Sequence, residues 1–266
     1  MGRHYLVAKL TGSRMLTADV CAMEFSLDEW SDCRAGQYYM VWLPGQGEIP
    51  LSPSTCRGRA VEFLVEAVGP TSSALASMSQ GSSCFIRGAF GRPFSLDRDG
   101  PYLLVAGGTG VAPLLLAAEQ LSEARKRTHV IIGASNAGKL YYARHFAGIA
   151  ETVTLVTEDG SQGLKGKAPD RVAENIAAHN VKTVLTAGPE LMMRAVVELS
   201  ERLGVYSEAS LVRIIKCAEG VCGSCVLDPR GQLVCKEGPV IPGSELLRSE
   251  FGSRTRDSAG RSVDVT

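Results

Sequence analysis

The sequence lacks an excess of charge of either sign. Its 266 residues contain 28 Lys plus Arg and 28 Asp plus Glu, so the formal net charge is zero. Proteins that bind nucleic acid or anionic membrane surfaces generally carry a basic surplus. The balance gives no support to either kind of partner, and we expect neither nucleic acid nor membrane binding.

Long hydrophobic runs are also missing. The longest uncharged stretch, residues 101–118, is interrupted by Gly107, Gly108 and Gly110 and by Pro113. Such residues divide a segment into strand, loop and helix and argue against one membrane-spanning helix. The amino terminus shows no secretory signal pattern, because residues 5–10 alternate as a strand does. We therefore expect a cytoplasmic protein, in which thiols stay reduced.

Aromatic residues are scarce, at 6%, whereas hydrophobic residues reach 45% and there are 29 glycines. This balance excludes a wholly disordered chain. Residues 1–97 contain short apolar runs separated by Gly, Pro and Ser, which predicts a small antiparallel β-barrel. The predicted strands there are 5–10, 38–43, 60–67 and 84–87, with a short helix at 72–78.

From Tyr102 onward the pattern alternates strand with helix, which predicts a parallel sheet with helical crossovers. The predicted strands are 102–106, 129–133, 153–157 and 182–187, and the predicted helices are 112–127, 140–146, 168–178 and 190–203. The expected fold class is thus β plus α/β in several domains. Their predicted bounds are 1–97 for the barrel, 98–209 for the α/β domain, 210–247 for a small cysteine-containing domain and 248–266 for a poorly ordered tail.

Four of the eight cysteines fall close together. Their spacing is C-x4-C-x2-C-x9-C, and they are Cys217, Cys222, Cys225 and Cys235. A 2Fe–2S cluster needs four thiolates, and C-x4-C-x2-C with a more distant fourth cysteine is the plant-type ferredoxin spacing. Gly220 and Gly223 lie between the ligands, where glycine lets a loop wrap closely. We predict that these four thiols ligate a 2Fe–2S cluster.

Zinc and a disulfide are the alternatives for this group of cysteines. Structural zinc sites with four cysteines usually use two short-spaced pairs, and only Cys222 and Cys225 form one here. The spacing therefore favours iron–sulfur over zinc. The remaining cysteines are interpreted as ordinary core or surface thiols: Cys21, Cys33, Cys56 and Cys84.

A glycine-rich turn follows the first strand of the α/β region. Its sequence, Ala106-Gly107-Gly108-Thr109-Gly110-Val111-Ala112-Pro113, leads from a strand into a helix. Backbone N–H groups at such a helix start favour a pyrophosphate, although close packing alone also selects glycine. A second strand–glycine–helix turn occurs at Ala187-Gly188-Pro189. Because ligands bind at the carboxyl ends of parallel strands, both turns are expected to face one nucleotide.

An acidic pair ends the third predicted strand of this region. Glu158 and Asp159 suit ribose hydroxyls better than a 2′-phosphate, which favours NAD over NADP. A solvated turn is the alternative explanation.

Taken in order, these elements resemble the ferredoxin–NADP reductase superfamily. The landmarks are Ala35-Gly36-Gln37-Tyr38, Pro50-Leu51-Ser52, the turn at 107–113 and Ala187-Gly188-Pro189. The appended cysteines and the flanking Lys236-Glu237-Gly238-Pro239-Val240 make the chain most similar to the electron-transfer subunits of dihydroorotate dehydrogenase B. The resemblance covers about residues 4–245.

The resemblance implies FAD in the barrel and a nicotinamide in the α/β domain. By analogy the flavin would contact the positions Ile49, Pro50, Leu51, Ser52, Val65, Glu66, Ala67, Thr71 and Ser72. The nicotinamide would lie near Gly108, Thr109, Gly110, Ala187, Gly188 and Pro189. The family often has Arg where Ile49 stands, and Arg57, Arg87 or Arg92 are the candidates to replace it. The superfamily commonly has Cys where Ala187 stands, so no residue is assigned to catalysis; the chemistry belongs to the cofactors.

The resemblance further implies an oxidoreductase subunit of pyrimidine biosynthesis. Electrons from dihydroorotate, oxidised on an FMN-bearing catalytic subunit, would pass through the cluster and FAD to NAD, in a heterotetramer of two plus two chains. One alternative is a sister subunit of an NAD(P)H:ferredoxin oxidoreductase, a sulfide dehydrogenase or a sulfhydrogenase. Another is a non-enzymatic iron–sulfur redox sensor or carrier that has lost flavin.

Overall fold

The computed structural model describes residues 4–265. Met1, Gly2 and Arg3 of the predicted barrel domain and Thr266 of the predicted tail lie outside the described residues.

A seven-stranded antiparallel sheet forms the first half of the chain. Its strands are β1 Leu6–Met15, β2 Val20–Leu27, β3 Tyr38–Leu43, β4 Gly47–Leu51, β5 Pro53–Arg57, β6 Ala60–Glu66 and β7 Ser83–Phe90. Their order is β4-β3-β7-β1-β2-β6-β5. Leu6, Ala8 and Leu10 alternate into the core of this sheet, as a strand with one solvated face requires. The predicted antiparallel architecture is confirmed.

Three of these strands were not predicted, and each departs from simple alternation. β2 is buried along most of its length, and β4 and β5 are the edge strands. Pro50 in β4 is tolerated because an edge strand does not need every N–H for pairing. The short helix is α1 Pro70–Ala76, which begins two residues earlier than predicted. Its first turn is fixed by the Ser72 hydroxyl, which accepts a hydrogen bond from the Gly69 N–H at 3.0 Å.

The second sheet has six parallel strands and one antiparallel edge strand. Its members are β8 Tyr102–Gly107, β9 Thr128–Ala134, β10 Thr152–Thr157, β11 Leu164–Lys165, β12 Thr183–Ala187, β13 Tyr206–Ser210 and, further along the chain, β16 Val240–Pro242. The order is β11-β10-β9-β8-β12-β13-β16, with only β16 antiparallel to its neighbour. β8 is buried on both faces, which explains its continuous apolar sequence. The predicted parallel α/β arrangement is confirmed.

Helices connect these strands close to the predicted positions. They are α2 Val111–Glu123, α3 Ala143–Ala147, α4 Val172–His179 and α5 Glu190–Arg202, with short 3-10 turns at Gly108–Gly110, Ala137–Lys139 and Ala168–Arg171. α2 ends four residues before the predicted end, where Arg125 takes a φ of 55°. None of the helices within residues 4–265 is both long and apolar enough to cross a membrane.

The carboxy-terminal part contains short elements and then a hairpin. These are β14 Val226–Leu227, β15 Gln232–Leu233, α6 Val234–Glu237, α7 Gly243–Leu246, β17 Arg254–Arg256 and β18 Ser262–Asp264. Ser210 at the end of β13 pairs with Val240 at the start of β16. The segment that carries the four clustered cysteines therefore leaves the second sheet and returns to it.

The tail from residue 248 differs from the prediction of poor order. Phe251 is buried in a core cluster, and the Gly252 N–H donates to Glu190 Oε1 at 2.7 Å. β17 and β18 then pair as an antiparallel hairpin. One buried aromatic residue and one hydrogen bond to a half-buried carboxylate anchor a sequence that carries no periodic signal.

Candidate functional site

A cavity of about 1150 Å³ lies between the two halves of the molecule. Of the predicted cofactor-binding positions, Ile49, Pro50, Leu51, Ser52, Glu66, Thr71, Ser72, Gly108, Thr109, Gly110, Ala187, Gly188 and Pro189 line it. Val65 and Ala67 do not, because Leu64, Glu66 and Val68 present the alternate face of the same segment. The structure thus brings the two predicted groups of residues to one space.

The wall of the cavity that the first half of the chain provides includes β4, the turn after it and the start of α1. The Thr71 hydroxyl donates to the Gln46 carbonyl at 2.7 Å, which ties α1 to the β3–β4 turn. Thr109 Oγ1 lies 3.4 Å from Glu66 Oε2 and links the two halves across the cavity.

The two glycine turns touch each other on the opposite side. A Cβ at Gly110 would lie 2.4 Å from the carbonyl carbon of Ala187, and one at Gly188 would lie 2.7 Å from the carbonyl oxygen of Gly107. Gly188 also has a φ of 146°, which disfavours other residues. Glycine at 110 and 188 is therefore required by the approach of β8 to β12, whatever the turns bind.

Part of the cavity wall is formed by residues that the sequence pattern does not predict. Tyr38, Ser258 and residues 211–215 also line it. Within that last segment Arg213 has a side chain only 2% exposed, and its Nη2 donates to Glu190 Oε1 at 2.9 Å. The sequence does carry a signal for this segment, because Arg213 is the one charged residue in the apolar run Leu211–Ile215. A charge in such a run is expected to be buried with a partner of opposite charge.

The three arginines proposed to replace the family arginine at Ile49 do not face the cavity within the described part of the chain. Arg57 Nη2 lies 3.2 Å from Glu119 Oε2, and Arg87 is paired with Glu48. Arg92 lines a separate cavity of about 740 Å³. That hypothesis is corrected: the acidic partners of Arg57 and Arg87, and the position of Arg92, direct these side chains elsewhere.

The four clustered cysteines lie on the segment between β13 and β16, called here the cysteine loop, and they differ in solvent exposure. Cys225 and Cys235 are buried, Cys217 is half-buried and Cys222 is exposed. The sulfur of Cys217 accepts hydrogen bonds from the N–H groups of Glu219 at 3.4 Å and Val221 at 3.5 Å. Gly220 and Gly223 have φ values of 77° and 72°, so the loop uses the left-handed conformation that the glycines were predicted to supply.

Backbone donors and burial act in opposite directions on these thiols. Burial raises the pKa of Cys217, but backbone hydrogen bonds outweigh it and lower that pKa to about 6. Burial, followed by the neighbouring Cys225 thiol, raises the pKa of Cys235 to about 12. N–H groups aimed at a sulfur stabilise its thiolate, which is the form that binds metal.

Two of the thiols belong to residues in direct contact, since the Cys235 N–H donates to the sulfur of Cys225 at 3.4 Å. Among residues 4–265, no group of three or more His, Cys, Asp or Glu side chains is arranged to hold a single metal ion. A 2Fe–2S cluster places two thiolates on each of two irons, whereas tetrahedral zinc needs all four around one point. Four thiols on one segment match the ligand number of a 2Fe–2S cluster.

The acidic pair lies at the same edge of the second sheet as the glycine turns. Glu158 and Asp159 follow β10, two strands away from β8, and they are outside the cavity lining. Asp159 Oδ1 accepts hydrogen bonds from Ser161, and these lower its pKa and keep it ionised.

Comparison with known proteins matches two parts of the chain to family models. Residues 213–247 match the iron–sulfur cluster binding domain of dihydroorotate dehydrogenase B, and residues 104–198 match the oxidoreductase NAD-binding domain. Among solved structures, the chain is similar to an NADH-dependent reduced ferredoxin–NADP oxidoreductase studied for flavin-based electron bifurcation. The TM-score is 0.82 at 25% identity, over 93% of this chain and 94% of that one.

Two curated relatives extend the match over most of the sequence. A probable dihydroorotate dehydrogenase B (NAD(+)) electron transfer subunit of Methanopyrus kandleri is 37% identical over 85% of this chain and 86% of its own. The protein of the same description from Methanocaldococcus jannaschii is 33% identical over 90% of this chain and 91% of its own. Identity at this level over nearly the full length of both proteins, with the cluster domain included, shows that the chain belongs to the family of dihydroorotate dehydrogenase B (NAD(+)) electron transfer subunits.

Proposed function

We propose that the chain binds FAD in the 1150 Å³ cavity and a 2Fe–2S cluster at Cys217, Cys222, Cys225 and Cys235. When bound, these groups exchange electrons between a separate dihydroorotate-oxidising subunit and NAD. The observation that carries the proposal is the path of residues 211–217. This segment lines the cavity through Ile215 and reaches the first cysteine two residues later, so the two sites are adjacent.

The protein's own residues supply position and environment. Pro50, Leu51 and Ser52 are proposed to face the flavin ring, and the start of α1 is proposed to hold another part of FAD. The touching turns at 107–110 and 187–189 would admit the nicotinamide from the other side. Val65 and Ala67 would contribute through their backbone, since their side chains point away from the cavity.

The test of this assignment is cofactor content. Protein purified without oxygen is expected to contain about two irons and one FAD per chain, because four thiolates hold one 2Fe–2S cluster. Iron, zinc and flavin are measured on the same sample by elemental analysis and absorption. Protein with flavin and stoichiometric zinc but no iron would contradict the cluster assignment, and protein with iron but no flavin would favour the redox carrier instead.

A separate catalytic subunit is part of this proposal. We propose that it bears FMN and forms a heterotetramer of two plus two chains in the cytoplasm. The residue before Cys222 supports a docking surface there, since Val221 is 84% exposed. Exposed apolar residues next to a redox site are typical of a surface that another protein covers.

A sister role in an NADH-dependent ferredoxin–NADP oxidoreductase is the second candidate. The structural likeness at 25% identity favours it, while the higher identity to the dihydroorotate dehydrogenase subunits favours the first. The two differ in partner. Mass spectrometry of the protein that co-purifies from the native source separates them.

NADH is expected to reduce the bound flavin with a kcat/KM several-fold higher than NADPH. Glu158 and Asp159 would repel a 2′-phosphate, and two like charges 4 Å apart in bulk water cost about 1 kcal/mol, which corresponds to roughly fivefold in rate. Steady-state kinetics with both nucleotides measure the ratio. The Glu158→Gln, Asp159→Asn double variant should reduce it, whereas Glu174→Gln on α4 should not. Equal or better use of NADPH by the unmodified protein would refute the role of the pair.

A further inference from the structure

Two side chains of the first sheet reach across to the cysteine loop. The Tyr38 hydroxyl on β3 donates a hydrogen bond to the carbonyl of Cys235 at 3.2 Å. Arg87 Nη1 on β7 donates to the carbonyl of Cys217 at 3.1 Å. The first and the last of the four predicted ligands are therefore both held by the half of the molecule that contains the side of the cavity proposed for the flavin.

Tyr38 connects the two sites through one side chain. It is 2% exposed, it lines the cavity, and its ring centroid lies 5.8 Å from that of Phe90. Its other end is the hydroxyl that meets Cys235. A buried ring with both ends fixed has little freedom to move, so it sets the separation between the cavity and the loop.

Arg87 is held in place before it meets the loop. Its Nε and Nη2 donate to Glu48 at 2.7 and 2.8 Å, and the Tyr5 hydroxyl donates to the same carboxylate at 2.9 Å. The guanidinium lies 5.4 Å from the Phe90 ring centroid and its side chain is 13% exposed. Because two nitrogens of the planar guanidinium are bound to one carboxylate, the direction of the third nitrogen, Nη1, is fixed. Nη1 points towards Cys217, and it lies 3.6 Å from Glu219 Oε1.

We propose that Tyr38 and Arg87 are positioning residues that clamp the two ends of the cluster loop to the flavin half of the molecule. The inference rests on the proposed function. Transfer of electrons between FAD and the cluster depends on their separation and orientation, which the clamp fixes. When bound, the cluster would supply one-electron transfer between the separate subunit and FAD, and two such transfers would match the two electrons that NAD accepts.

Arg87 is also expected to set the potential of the cluster. The reduced cluster carries one more negative charge than the oxidised one, so a nearby cation favours reduction. Glu48 and Glu219 oppose this effect, and Lys236, whose side chain packs near Gly220, adds to it. Without the guanidinium, the negative charges of Glu48 and Glu219 are no longer offset by Arg87, and they disfavour reduction of the cluster.

The experiment compares Arg87→Gln and Tyr38→Phe with matched controls in the full chain. Arg57→Gln removes another arginine of the first sheet, paired with Glu119, and Tyr102→Phe removes another buried hydroxyl, which donates to the Arg98 carbonyl. The cluster potential is measured by redox titration followed by electron paramagnetic resonance. The rate of electron transfer from FAD to the cluster is measured by stopped flow, relative to flavin reduction by NADH in the same variant.

Arg87→Gln should shift the reduction equilibrium of the cluster about tenfold towards the oxidised form, which is about 59 mV for one electron. Tyr38→Phe should slow transfer from FAD to the cluster several-fold relative to flavin reduction. Arg87→Lys, which keeps the charge but loses the fork, should retain the potential and slow the transfer. Both controls should match the unmodified protein.

The clamp would be refuted if Arg87→Gln kept the cluster potential of the unmodified protein and Tyr38→Phe kept its rate of transfer from FAD to the cluster relative to flavin reduction. The proposed function would stand in that case. If Arg87→Gln fails to fold, Arg87→Lys and Tyr38→Phe decide the question by the transfer ratio. Absence of iron or flavin from the unmodified protein would instead refute the proposed function and the clamp together.

Discussion

Cys225→Ser is expected to abolish electron transfer from dihydroorotate to NAD in the assembled complex, while NADH oxidation by an artificial acceptor largely continues. Cys225 is buried and associated with Cys235, so a serine there removes one thiolate from a site that has no spare ligand. The cavity proposed for FAD lies elsewhere and does not include Cys225. The loss should exceed a hundredfold, because a missing cluster interrupts the only relay proposed between the two substrates.

Iron content, flavin content and both activities are measured on the same preparations. Cys56→Ser is the matched control, since Cys56 is a free thiol of the first sheet that is also not fully exposed. It should keep the iron and both activities. Normal coupling of the two substrates by a Cys225→Ser protein without iron would show that the cluster is not the relay.

The isolated chain is expected to oxidise NADH with an artificial acceptor but to show no oxidation of dihydroorotate. The 1150 Å³ cavity is assigned to FAD and nicotinamide, and the cysteine loop to the cluster. None of the described residues is assigned to orotate, and oxidation of dihydroorotate is proposed to take place on the separate subunit. Adding the FMN-bearing catalytic subunit should restore dihydroorotate-dependent reduction of NAD from background to a full rate.

Reconstitution with stoichiometric amounts of the two subunits measures this effect. A catalytic subunit of a type that does not use NAD serves as the control and should give no NAD reduction. Turnover of dihydroorotate by the chain alone would contradict the requirement for a partner.

The parts of the fold that the sequence predicts are those fixed by local chemistry. The spacing of the four cysteines and the turns at 107–110 and 187–189 depend on residues close in sequence, and the structure places the turns together at one cavity. The alternation of strand and helix from Tyr102 onward is likewise local, because each crossover is built from consecutive residues.

The remainder depends on contacts between distant residues. β2 is recognisable only from its partners β1 and β6, and the tail is ordered because Phe251 finds a core formed elsewhere. Arg87 illustrates the same limit at the site. By composition it is a candidate for a phosphate, and only its pairing with Glu48 shows that it serves the cysteine loop.

The pairing of Ser210 with Val240 bears on how the metal centre matures. The segment between them begins and ends on adjacent strands of one sheet, so its ends are held together by backbone hydrogen bonds that need no iron. The entropy cost of closing this loop is met when the sheet folds. Insertion of the metal then has only to order an already closed loop with an exposed Cys222 at its surface. We therefore expect the apoprotein to keep the second sheet folded and the ends of the loop together before any iron is bound.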